Sequence, residues 1–130
     1  MTPRRKVAPA ELRAALLAVG PWLKDPELPK PSRAELGAAV KMSARTLEQI
    51  VPGSSVEVRV PPFVAVQCIE GPRHTRGTPP NVVETDVRTW LLMVTGLLEF
   101  HDASADGRVD ASGSRASEIA HWLPLLRLTP

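Results

Sequence analysis

The chain has few residues of the types that build redox, metal or stacking sites. A single cysteine, Cys68, excludes an internal disulfide, and no Cys/His cluster has the spacing of a zinc site. Tyrosine is absent, and three tryptophans with two phenylalanines are the only large aromatic side chains. We therefore expect a mainly aliphatic core, no metal, no cofactor and a reducing, cytoplasmic location.

Long apolar runs and a strong net charge are also missing. No run approaches the ~20 apolar residues that cross a bilayer, and Glu11 and Arg13 interrupt the first apolar stretch before it resembles a signal peptide. Sixteen basic against 14 acidic residues leave a net charge of only +2. We predict no stable membrane insertion and no nucleic-acid partner.

The composition and length are typical of one folded domain, because 43% of the 130 residues are hydrophobic and 23% are charged. Six of the 14 prolines fall in the first 31 residues. We therefore divide the single domain 1–130 into an N-terminal helix and proline-rich loop, 1–31, and a main body, 32–130. Helical spacing predicts the first helix over 9–19, with Gly20 and Pro21 ending it.

The segment after residue 32 changes from a helical to a two-residue hydrophobic period. Ser32 and Glu35 form a capping box for a second helix that ends at Pro52-Gly53. Valine alternates with charged residues over 56–60, which predicts a half-buried strand. The apolar segment 63–69 predicts a second, more central strand that pairs with the first as a hairpin.

The rest of the chain alternates short strands with helices. We predict strands at 81–85 and, at a sheet edge, 108–112. Asp86 caps a helix that ends around Gly96, a helical turn covers 102–106, and Ser114 caps a final helix. This order predicts an α+β fold whose mainly antiparallel sheet has helices on one face.

Residues 71–86 form the most unusual segment, a polar loop stiffened by prolines. Two arginines can hold a carboxylate or phosphate, and neighbouring side chains add donors. The alternative is structural, because the arginines can also pair with the carboxylates that flank the loop. The residues we assign to an anionic head group are Arg73, His74, Thr75, Arg76 and Asn81.

An apolar stripe that includes Trp90 and Leu91 follows this loop. Such a stripe lines a ligand cavity in some domains and is ordinary core in others, and periodicity alone does not separate the two. Cys68 with His74 would be a conceivable catalytic pair, but a cysteine inside an apolar run is usually a small core residue. No catalytic constellation is established.

Four segments span about residues 55–126, namely VEVRVPPFVAVQCIEGPRHTRGTPPNVVETD, TWLLMVTG, HDASADGRVDASGSRA and WLPLL. Together they resemble a bacterial, actinobacterial-type branch of the sterol carrier proteins. The later segments are similar to the sterol carrier type-two domain. This resemblance implies a sheet of about five strands, mainly antiparallel and covered by helices. It also implies an apolar cavity that accepts fatty-acyl or sterol-like molecules.

The function we predict is a non-catalytic, cytoplasmic lipid-binding or carrier module for a fatty-acyl, isoprenoid, acyl-CoA-like or sterol-like ligand. One alternative is a small enzyme or enzyme accessory domain that binds an anionic substrate with the loop 71–86, His74 acting as acid or base. Another is a homodimer formed through the apolar C-terminal segment. The predicted apolar lining consists of Val64, Val66, Trp90, Leu91, Val94, Leu98 and Leu123.

Overall fold

The chain folds into helices and a four-stranded sheet in the computed structural model, which describes residues 6–71 and 81–129. In chain order the elements are α1 (Pro9–Lys24), α2 (Arg33–Ile50), β1 (Val56–Val60), β2 (Val64–Cys68), β3 (Asn81–Thr85), α3 (Val87–Val94), α4 (Phe100–Ala105), β4 (Val109–Ser112) and a 3-10 helix (Ala116–Trp122). The fold is α+β, as predicted.

The strands are arranged in the order β2-β1-β3-β4. The β1–β2 and β3–β4 pairs are antiparallel, whereas β1 and β3 run parallel, with Val58 opposite Val83. The expectation of about five mainly antiparallel strands therefore differs in detail from the mixed sheet seen here. The parallel pair arises because the chain leaves β2 and adds β3 beside β1, on the side away from β2.

Only one face of the sheet is buried. Val58, Val66 and Val83 lie in register on that face and are at most 2% exposed. Their sequence neighbours Glu57 and Gln67 point to the other face, which is half-buried or exposed. The alternation that predicted β1 thus places its valines against the helices and its charged residues on the opposite side.

The second strand lies at the edge of the sheet, so the prediction of a central position was wrong. Ala65 and Gln67 on β2 are exposed, while Val66 and Cys68 are buried. Ala65 continues the apolar run in the sequence, but alanine is also common at exposed positions. A strand buried on one face therefore resembled a strand buried on both faces.

The first helix continues five residues beyond the predicted end, through Pro21 to Lys24. A proline inside a helix removes one backbone hydrogen bond and usually bends or ends it. Here the last turn buries Leu23, which is 3% exposed, and Asp25 closes the helix by donating its N–H to the Pro21 carbonyl at 3.0 Å. Burial of this apolar turn outweighs the proline penalty.

Two of the three predicted helix caps are present. Ser32 Oγ accepts from the Glu35 N–H at 3.1 Å, and the Glu35 carboxylate accepts from the Ser32 N–H at 3.0 Å. The Asp86 carboxylate accepts from the Thr89 N–H at 3.1 Å. The third prediction was wrong, because the final helix is a 3-10 helix with Arg115 at its N-cap and no side-chain cap.

Trp90 lies at the centre of the core. Its side chain is 0% exposed, and its indole Nε1 donates to Ser43 Oγ on α2 at 2.8 Å. The Ser43 hydroxyl in turn donates to the Ala39 carbonyl, 2.7 Å away. A buried indole N–H needs a partner, so Ser43 is what allows the largest core residue to be buried completely.

Replacement of Ser43 by alanine should therefore destabilise the fold. The variant leaves a buried indole N–H unpaired, which costs about 1–3 kcal/mol of unfolding free energy, measurable by urea denaturation. Thr46→Ala is the matched control, because the Thr46 hydroxyl also bonds a carbonyl of its own helix, that of Met42, at 2.8 Å. Equal stability of the two variants would contradict the role given to the Trp90 contact.

Candidate functional site

A groove of about 490 Å³ opens at one end of the sheet. Because β1 and β3 are parallel, both strands end at this side. β1 leads into the Pro61–Phe63 turn, and β3 leads into Asp86 and the first residues of α3. The end of α1 and the start of α2 supply the remaining walls, so four separate chain segments build the groove.

The floor and walls of the groove are apolar. Trp22, Phe63 and Val87 are half-buried there, and Leu36 beside them is buried. Phe63 reaches its place because α2 carries Gly37 at the contact point. A Cβ at position 37 would lie 3.0 Å from the Phe63 ring, closer than side chains normally approach.

Basic side chains surround these aromatic walls. The Arg33 guanidinium lies 5.3 Å from the centre of the Phe63 ring, and the Arg88 guanidinium lies 5.3 Å from the centre of the Trp22 ring. Lys30 is a third base in the lining. The arrangement is an apolar surface with cations above both of its aromatic rings, a geometry that also favours the cations electrostatically.

The opposite end of the sheet holds a polar hydrogen-bond network centred on Arg115. Its guanidinium donates to Ser55 Oγ at 3.2 Å, to the Glu70 carbonyl at 3.0 Å and to both oxygens of Glu118 at 2.7 and 3.1 Å. Glu118 raises the pKa of Arg115, and the guanidinium lowers the pKa of Glu118, chiefly through the hydrogen bonds between them. This network joins the 3-10 helix to the start of β1.

Asn81 belongs to the same network. It is 3% exposed, its Nδ2 donates to the Ser55 carbonyl at 2.8 Å, and its Oδ1 accepts from the Arg115 N–H at 2.8 Å. These contacts use the amide to fasten the start of β3. The other predicted head-group residues, Arg73, His74, Thr75 and Arg76, lie outside the described residues.

The seven residues predicted to line a cavity fall into three groups, and none of them lines the groove. Val66, Trp90, Leu91 and Val94 are at most 2% exposed and are packed in the core. Val64 is half-buried at the first position of β2. Leu98 and Leu123 meet in a smaller cavity of about 270 Å³ beside α4.

Cys68 is part of the core and does not resemble a reactive thiol. Its side chain is 0% exposed at the end of β2. Burial, with a smaller effect from the Glu48 carboxylate, raises the pKa of the thiol to about 12. A nucleophilic cysteine needs the opposite environment, one that stabilises the thiolate.

Residues 32–125 match a family model described as bacterial SCP ortholog, where SCP denotes sterol carrier protein. The chain belongs to the bacterial SCP family. The resemblance to bacterial sterol carriers stated from the sequence is thereby confirmed. No curated protein matches the chain.

The SCP match includes α2, the whole sheet and α3, and so covers three of the four segments that form the groove. Trp22 and Lys30 precede the matched residues. Within residues 6–71 and 81–129, no helix is long and apolar enough to cross a membrane, and no three His, Cys, Asp or Glu side chains lie close enough together to hold a metal ion.

Sequence reasoning missed the groove of this SCP domain, although two signals pointed to it. Prolines lie beside basic residues in the segment PELPKPSR and beside an aromatic residue in PPF, and these are two of the four segments that build the groove. Prolines were interpreted as breaks between elements, which is correct but incomplete. They also shape the short connections that carry Lys30 and Phe63 into the lining of the groove.

The Arg115–Glu118 pair should make stability depend on pH. Because the pKa of Glu118 is lower in the folded than in the unfolded chain, its contribution is present above its ordinary value of 4.5 and is lost as the pH falls through the folded value. Urea unfolding should show wild type more stable than Glu118→Gln at neutral pH, with the difference vanishing in acid. The exposed Glu27→Gln change should show no such trend, and a pH-independent difference for Glu118→Gln would contradict the assignment.

Cys68 should resist alkylation in the folded protein. At about pH 8.5 an unperturbed thiol is half ionised, whereas a buried thiol of much higher pKa stays protonated and inaccessible. Iodoacetamide labelling followed by mass spectrometry should therefore modify Cys68 only after unfolding in urea. Rapid stoichiometric labelling of the folded chain would show that the site is open.

Proposed function

We propose that this SCP-family domain is a non-catalytic, intracellular carrier that holds a fatty-acyl, isoprenoid or sterol-like molecule in the groove at the ends of β1 and β3. The observation that carries the proposal is the apolar wall of Trp22, Phe63 and Val87, which is left half-buried in a groove of about 490 Å³. Its volume falls within the range of about 300–1,000 Å³ found for small-molecule sites.

An apolar ligand would gain free energy by covering these side chains. Each methylene moved from water into an apolar site contributes about 0.8 kcal/mol, so a long acyl chain gains enough to offset the entropy lost on binding. The walls are also largely fixed before binding. Phe63 is packed against Gly37, and Trp22 is held on the last turns of α1.

The burial of Cys68 supports the non-catalytic part of the proposal. A core thiol with a raised pKa is a poor nucleophile, and the Asp86 carboxylate in the groove is engaged as a helix cap. Arg73 and Arg76 stay a predicted contact for an anion. The homodimer through the C-terminal segment also stays a prediction.

The cavity lined by Leu98 and Leu123 is the alternative binding site for the apolar ligand. Their cavity of about 270 Å³ is smaller than the range usual for ligands, and it includes charged residues such as Glu99 and Arg127. We therefore place the ligand in the groove and use Leu123 as a comparison in the experiment.

Native mass spectrometry of gently purified protein, followed by solvent extraction, should detect a bound apolar molecule. Titration with a fluorescent fatty acid should then show Trp22→Ala weakening binding roughly tenfold, the effect of losing about 1.4 kcal/mol of contact. Trp122→Ala is the matched control, because Trp122 is 41% exposed and lies outside the groove.

Two outcomes would contradict this proposal. No binding of any fatty-acyl, isoprenoid or sterol probe by the folded wild-type protein would remove the carrier function. Weakening by Leu123→Ala, with Trp22→Ala binding like wild type, would move the ligand to the smaller cavity.

A further inference from the structure

We infer that the groove selects amphiphiles with an anionic oxyacid head, a carboxylate or a phosphate, and that Arg33 and Arg88 bind this head with Lys30 beside them. The inference rests on the proposed function and adds to it the chemical class of the ligand. It also places the head group at the opposite end of the sheet from Asn81, the predicted head-group residue that the structure describes.

The charge of the lining is the first observation. The lining contains three basic side chains, Lys30, Arg33 and Arg88, and one carboxylate, that of Asp86. This carboxylate already accepts the Thr89 N–H at the start of α3. Within the described part of the chain, no carboxylate lies within salt-bridge distance of these three bases. The groove therefore carries an excess of positive charge beside its apolar walls, which favours an anion there.

Arg88 supplies the second, independent observation. Its Nε is buried, and it has no hydrogen-bond partner among the described residues. The same guanidinium donates through Nη2 to the Leu23 carbonyl at 3.0 Å and lies over the Trp22 ring. A guanidinium held in this way has lost much of its freedom before any ligand arrives, so an oxyanion binds it at a smaller entropic cost.

The positions of the cations fit a ligand with two chemically different ends. Arg88 lies over Trp22, and Arg33 lies over Phe63, so each aromatic wall has a guanidinium at its face. Lys41 approaches the same Phe63 ring at 6.0 Å. Because both rings and both guanidinium groups line one groove, a single ligand can contact the rings with its acyl chain and the guanidinium groups with an oxyanion head, whose oxygens accept charge-assisted hydrogen bonds.

A simple anion lacks the chain that would cover Trp22 and Phe63, so it would use only half of this site. A neutral lipid would cover the rings and leave the positive charge of the guanidinium groups uncompensated. We therefore expect tight binding only when both ends are present in one molecule, since buried polar groups without partners lower affinity.

The test compares three probes with the same 16-carbon chain, hexadecanoate, hexadecyl phosphate and hexadecanol, by displacement of a fluorescent fatty acid. Wild type should bind at least one anionic probe roughly tenfold more tightly than the alcohol, and the better of the two identifies the head. Acetate and inorganic phosphate should displace nothing at the same concentrations.

Substitutions then locate the head group. Arg33→Gln with Lys30→Gln changes two exposed residues, and Arg88→Gln changes the held guanidinium. Both variants should lose the preference for the anion over hexadecanol. Arg13→Gln with Arg45→Gln, at exposed positions outside the groove, removes two positive charges as the Arg33 and Lys30 changes do, and should keep the preference. Circular dichroism checks that Arg88→Gln is folded. The double variant at Lys30 and Arg33 tests the same inference even if Arg88→Gln does not fold.

The outcomes separate this inference from the proposed function. Equal binding of all three probes by wild type, or an unchanged preference in both groove variants, would overturn the anionic head site and leave a carrier of neutral lipids. Loss of the preference in Arg73→Gln with Arg76→Gln alone would move the head to the polar loop. No binding of any probe would overturn the proposed function as well.

Discussion

The fold depends on burying one indole ring with its N–H satisfied. Trp90 on α3 is fully enclosed, and its hydrogen bond to Ser43 fixes α3 against α2. Because α2 enters β1 and α3 follows β3, this contact links the helices attached to the two central strands. Both helices also begin at the groove, so the packing that stabilises the core sets the distance between its walls. Stability and binding geometry therefore share one buried contact.

Local rules predicted most of the secondary structure. All four strands, the second helix and the Asp86 cap follow from periodicity and capping, because these signals lie within a few neighbouring residues. The errors came from competition with tertiary packing. Burial of Leu23 carries α1 past Pro21, and nothing local to β3 determines that it lies beside β1.

The candidate site was less predictable, for a physical reason. Hydrophobic periodicity shows which face of a helix avoids water, but it does not show whether protein or ligand covers that face. Trp90 and Leu91 were assigned to a cavity and are covered by protein. Trp22 and Phe63, which do face a groove, lie in proline-rich segments with no usable period. They line one groove because the end of α1 and the turn after β1 lie at the same end of the sheet.

The parallel pair also separates two chemical environments. The groove lies beyond the last residues of β1 and β3, whereas the Ser55–Asn81–Arg115 network, which also holds the Glu70 carbonyl, lies at the start of both strands. A five-residue strand keeps these ends roughly 13 Å apart. Substitutions at sites this distant, with no shared partners, have nearly additive effects. Each end can therefore diverge in evolution without requiring compensating changes at the other.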